Sequence, residues 1–136
     1  MTLICDSSVV FAALSPRDRC HEVCSDVLER AAVTVIPAPV LAEVDWLARG
    51  RRVHDAMDRV LASVGDHSIA VVDLDEEDYR RVRTLLRTYA DLGLEFVDAA
   101  VVAVAERLEE DTIATLDRRH FSVVRPLHCE RFNLVP

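Results

Sequence analysis

The sequence predicts an α/β fold: a three-layer α/β/α sandwich with a central parallel sheet of four to five strands. Short apolar runs alternate with longer amphipathic stretches along the chain. Strands joined through helices form parallel sheets covered on both faces. With 136 residues, the chain suits a single domain, 1–136, long enough to bury one core.

Each element has a local reason. Thr2 to Cys5 is a short apolar strand, and Ser7 to Leu14 a helix opened by Asp6, Ser7 or Ser8 as cap. Pro16 breaks the chain, and Asp18 caps an amphipathic helix over 19–31. Val33 to Ile36 is the second strand. Pro37 and Pro39 then start a helix that runs through Ala48 and is ended by Gly50. The next helix spans 52–64 and stops at Gly65. Ser68 to Leu74 reads as the third strand, and Asp75 caps a long helix to Tyr89. A loop over 90–95 leads into a helix from Phe96 to Glu109. Thr112 to Leu116 is the fourth strand, and Phe121 to Val124 is offered as an edge strand.

Composition narrows the function. The chain is 51% hydrophobic and 29% charged, which excludes a disordered protein. Its longest uncharged stretch, Ala31 to Ala42, contains Thr34, Pro37 and Pro39 and is too short to span a bilayer. Asp6 falls where the apolar centre of a secretory leader would begin, so a cytoplasmic location is expected. Cys5, Cys20, Cys24 and Cys129 form no C-x-x-C pair, and the histidines offer no zinc-like spacing beside Cys20, His21 and Cys24.

Four carboxylates stand where apolar residues belong. Asp6 closes Leu3-Ile4-Cys5, and Asp117 follows Ile113-Ala114-Thr115-Leu116. Glu43 interrupts the helical face of Val40, Val44 and Leu47, while Asp98 opens that of Val101, Val102 and Ala105. Asp45 points about 200° away from Glu43 at 3.6 residues per turn and is expected in solvent. Individually, Asp6 and Asp117 read equally well as helix caps, and Asp98 as a first-turn residue favoured by the helix dipole. Glu43 has no such role. Buried carboxylates without partners are too costly to keep, so several together imply a shared cation. Oxygen donors alone select Mg2+ or Mn2+, not zinc. Parallel sheets collect ligands at the carboxyl ends of their strands, where Asp6 and Asp117 fall. Ser8 either supports this site through a bound water or caps the helix; Thr115 either supports it or packs.

The net charge is −8 and all 16 basic residues are arginine. A broad nucleic-acid-binding face is therefore excluded. Any contact to RNA or DNA falls to local groups: Arg49-Arg51-Arg52, Arg80-Arg81-Arg83-Arg87 or Arg118-Arg119. The middle group reads more simply as an exposed face balanced by the acids from Asp75 to Asp78.

Four segments in order, Ile4-Cys5-Asp6-Ser7-Ser8, Pro39-Val40-Leu41-Ala42-Glu43-Val44, Phe96-Val97-Asp98-Ala99-Ala100 and Ala114-Thr115-Leu116-Asp117-Arg118-Arg119-His120-Phe121, resemble PIN-domain ribonucleases. In size and layout the chain is similar to the VapC toxins of bacterial toxin–antitoxin pairs. Asp111 departs from the family, whose members often carry glycine there; this affects a turn and not the chemistry. The resemblance implies a PIN-like sandwich and an endoribonuclease that hydrolyses RNA phosphodiesters with metal-activated water, leaving a 5′-phosphate and a 3′-hydroxyl. Asp6, Glu43, Asp98 and Asp117 would be its catalytic and Mg2+- or Mn2+-holding residues. Arg118 and Arg119, beside Asp117, are the expected RNA contacts. It further implies a small cognate antitoxin and a homodimer, with no membrane partner.

Rival classes fit less well. A phosphoacceptor domain, an aspartate-nucleophile phosphatase and a P-loop site each want a lysine, which the chain lacks. A catalytically inactive PIN-fold binding or scaffold module stays open, since fold does not guarantee activity.

Overall fold

The computed structural model describes all residues, Met1 to Pro136. Five parallel strands form one sheet: β1 (Thr2–Cys5), β2 (Val33–Pro37), β3 (Ala70–Val72), β4 (Thr112–Ala114) and β5 (Asn133–Val135), in the order β3-β2-β1-β4-β5. Cys5 pairs with Ala114 in register, and Ile4 with both Val35 and Ile113. The helices are α1 (Ser7–Leu14), α2 (His21–Arg30), α3 (Ala38–Arg51), α4 (Ala56–Gly65), α5 (Glu76–Thr88), α6 (Phe96–Arg107) and the single turn α7 (Arg118–Phe121).

The strand order explains the layers. From β1 to β3 the chain steps one way across the sheet, with α1 to α4 in the connections. From β3 it crosses back to β4, so a right-handed connection puts α5 and α6 on the opposite face. In α6 every residue from Ala99 to Ala105 is buried, and all are alanine or valine. Side chains this small let the helix lie close against β1 and β2. Two arginines fasten α5 to α6: Arg81 donates two bonds to Glu106 at 2.7 and 2.9 Å, and Arg107 pairs with buried Asp78 at 2.9 Å.

Several boundaries depart from the sequence reading. Phe121 to Val124 is no edge strand: Phe121 ends α7, and the amides of Val123 and Val124 both return to the carbonyl of His120. Asn133–Val135 takes the edge instead. Gly50 does not end α3, which continues to Arg51 and turns at Arg52 with φ 58° and ψ 39°. The expected strands over 68–74 and 112–116 shorten to Ala70–Val72 and Thr112–Ala114. Asp75 does cap α5, in a capping box with Asp78. No helix is long and apolar enough to cross a membrane.

Candidate active site

Adjacent strands β1 and β4 belong to opposite directions of travel across the sheet. Beyond their carboxyl ends a crevice opens, as it does wherever strand order reverses in a parallel sheet. Asp6 leaves β1 into this crevice, its amide donating to Ala114 O at 2.9 Å and so pinning it to β4. Asp117 enters from β4, Glu43 from the second turn of α3, and Asp98 from the first turn of α6. All four line one cavity of about 260 Å3, together with Ser7, Ser8, Leu47, Glu95, Arg119 and His120.

Each carboxylate is anchored through one oxygen. Asp6 is 4% exposed. Although it precedes α1, its side chain makes no capping bond; Oδ2 instead accepts from Ser8 Oγ and Thr115 Oγ1, both at 2.9 Å. Oδ1 has no donor nearer than Ser7 Oγ at 3.5 Å. That hydroxyl donates more closely to Oε1 of Glu43. On Asp98, Oδ2 accepts from the Glu95 amide at 3.2 Å and faces Nδ1 of His120 at 2.9 Å. Oδ1 of Asp117 accepts from the Arg119 amide at 3.1 Å. Asp117 therefore does cap α7 and Asp98 does sit in the first turn of α6, yet these bonds occupy only one oxygen of each.

Charge in the cavity is one-sided. Five carboxylates, with Glu95 the fifth, face a single guanidinium, that of Arg119. Burial, aided by the charge of Asp6, pushes the Asp98 carboxyl above its ordinary range against the opposing bonds from Glu95 and His120. No three His, Cys, Asp or Glu side chains are drawn together as a closed ligand set.

Ser8 and Thr115 both support Asp6, and Ser8 Oγ also accepts the Leu116 amide at 2.9 Å. Of the two expected RNA contacts, only Arg119 reaches the cavity. Arg118 donates to the carbonyls of Leu134 and Pro136 on the far side of β4. Asp45 pairs with Arg49 on the outer face of α3 at 2.9 Å, as its helical angle required. Ser7, Glu95 and His120 were not foreseen. Glu95 could have been found from its capping-box spacing to Asp98; a lone histidine after Asp117 gave no comparable signal.

The model of the PIN domain family matches residues 3–126, a span that holds all four carboxylates. The chain belongs to the PIN domain family. Within it, this PIN domain is of the VapC type: it is 30% identical over 135 residues to Ribonuclease VapC26 of Mycobacterium tuberculosis, covering 98% of this chain and 100% of that protein. Solved structures agree on the fold. VapC20 of M. tuberculosis, described as a sarcin-ricin loop cleaving toxin, superposes with a TM-score of 0.79 at 18% identity over 94% of this chain and 98% of that one. VapBC2 from Rickettsia felis, bound to a DNA fragment from its promoter, gives 0.70 at 13% identity over 100% of each chain. A toxin–antitoxin complex from Klebsiella pneumoniae gives 0.69 at 16% identity over 90% and 92%.

Proposed function

We propose that this PIN domain is the toxin of a VapC-type pair, a cytoplasmic endoribonuclease that depends on Mg2+ or Mn2+ and hydrolyses RNA phosphodiester bonds. The observation that carries the reading is the anchoring pattern. Asp6, Glu43, Asp98 and Asp117 each hold the protein through one oxygen and leave the other without a close donor, around one cavity at the sheet's switch point. Hard, all-oxygen donors suit Mg2+ or Mn2+. When bound, such a cation supplies an acidified water and offsets charge developing on the phosphate.

The chain's own residues do the remaining work. Ser8 and Thr115 fix Asp6 by two hydroxyl bonds on one oxygen, so it is oriented before any ligand arrives. Ser7 does the same for Glu43. Arg119, the single guanidinium at the cavity, would meet a phosphate that the carboxylates otherwise repel. VapC26 is named a ribonuclease and VapC20 is described as a sarcin-ricin loop cleaving toxin, which supports RNA as the substrate class.

A small antitoxin is the proposed regulator, supported by the toxin–antitoxin assemblies among the structural relatives. Beside the cavity runs a groove of about 730 Å3 that shares Glu43, Leu47 and Glu95 with it and adds Trp46, Tyr79 and Phe96. An apolar segment with one cationic side chain would match both surfaces.

Cleavage of structured RNA by purified protein with Mg2+ or Mn2+ tests the proposal. Asp6→Ala and Asp98→Ala should each lower the rate by more than about 100-fold, and chelation should abolish it. Cutting that survives both substitutions would place catalysis elsewhere. An inert native protein that still binds antitoxin would favour a scaffold module.

A further inference from the structure

His120 lies where Asp98, Asp117 and Arg119 converge. The residue is 4% exposed, and both ring nitrogens engage residues of the cavity. Nδ1 is 2.9 Å from Oδ2 of Asp98 and 3.9 Å from Oδ2 of Asp117. Nε2 is 3.0 Å from Nη2 of Arg119. A guanidinium donates and never accepts, so Nε2 must be the acceptor. The ring proton then belongs to Nδ1, which donates it to Asp98. The network thus selects one tautomer.

Two consequences follow for the cavity. With Oδ2 of Asp98 taken by His120 and by the Glu95 amide, Oδ1 keeps no protein donor. Meanwhile Arg119, a long side chain on a one-turn helix, is held at the cavity by its bond to Nε2 instead of ranging through solvent. A core histidine needs a partner for its polar atoms, but nothing requires both partners to be site residues.

We propose that His120 is a positioning residue for the nuclease reaction. As the Nδ1–H tautomer it turns Asp98 so that Oδ1 is presented to a divalent cation, and it holds the Arg119 guanidinium where an RNA phosphate would lie. This rests on the metal-dependent reading of the cavity.

Two near-isosteric variants separate the two bonds. His120→Asn places an amide N–H close to the Nδ1 position, serving Asp98 without reaching Arg119. His120→Gln places a carbonyl oxygen close to Nε2, serving Arg119 but not Asp98. Mn2+ is titrated into each protein by calorimetry without RNA, and cleavage kinetics follow. Asn should keep near-native Mn2+ affinity and raise KM for RNA. Gln should lose about 10- to 100-fold in Mn2+ affinity, the range seen when a partner of a metal-binding side chain is removed. Equal behaviour of the two variants would overturn the assignment, because a purely structural role predicts no such split.

The 15N spectrum of the metal-free native protein gives an independent reading. A protonated Nδ1 and bare Nε2, with ring signals that move in Asp98→Asn, support the tether; a protonated Nε2 overturns it. Should the native protein take up no Mn2+, the metal-dependent reading fails, and this spectrum still decides whether His120 tethers Asp98.

Discussion

Asp98 carries an electrostatic penalty that can be measured without substrate. Burial raises its pKa above the ordinary 3.8, with the charge of Asp6 adding to the effect. Between the ordinary and the raised value the folded state binds more protons than the unfolded one, so stability falls as pH rises through that interval. The penalty is present above the raised pKa and is lost as pH falls through it toward the ordinary value. In EDTA, Asp98→Asn should therefore melt above the native protein at pH 7, and the gap should shrink on acidification. Adding Mn2+ should reverse the order, because a ligand stabilises only the form that binds it. Thermal unfolding across pH checks this; a gap independent of pH would mean that the charge of Asp98 is not its source. The four acids were legible in the sequence because each stands at the edge of an apolar run or, for Glu43, within one. Ser7 and His120 interrupt nothing. Their roles depend on which strand ends meet, and no local pattern encodes that.

At the scale of elements, the end of α3 shows what composition misses. Glycine is favoured at a helix terminus for its freedom at positive φ, which made Gly50 the expected stop. The chain instead closes two residues later. Val53 N returns to Ala48 O at 2.9 Å and Arg52 N to Arg49 O at 3.3 Å, the paired bonds of a Schellman end. The left-handed position thus falls on Arg52, φ 58°, while Gly50 stays helical with nothing within 4 Å of an added Cβ. Exchanging the two preferences should stabilise the fold. Gly50→Ala and Arg52→Gly are each expected to add about 0.5–1 kcal/mol in urea unfolding. A loss in the second variant would show that the Arg52 side chain compensates its own backbone strain. Short apolar runs mislead for a related reason. In Phe121-Ser122-Val123-Val124 the buried pair, Phe121 and Val124, lies three residues apart, as on a helical turn. The true edge strand, Asn133–Val135, is three residues long and too brief to announce itself.

For the whole molecule, alternation of strands and helices made a parallel sheet legible, but not the strand order that puts β1 beside β4 and creates the crevice between them. Nor could the sequence show that the chain's three exposed aromatic side chains, Trp46 at 72%, Tyr79 at 55% and Phe96 at 45%, gather in the one groove that borders the cavity. Aromatic side chains this exposed act as anchors when a partner desolvates them. Trp46 is the single tryptophan of the chain, so its emission reports on the groove alone. Binding of the cognate antitoxin should shift that emission to the blue as the indole leaves water. Trp46→Ala should weaken the complex by about 2 kcal/mol or more, the scale of a tryptophan anchor, while RNA cleavage by the free toxin stays at the native rate. A shift driven by protein concentration alone would assign the groove to self-association instead. An antitoxin that binds with unchanged emission must dock on another face.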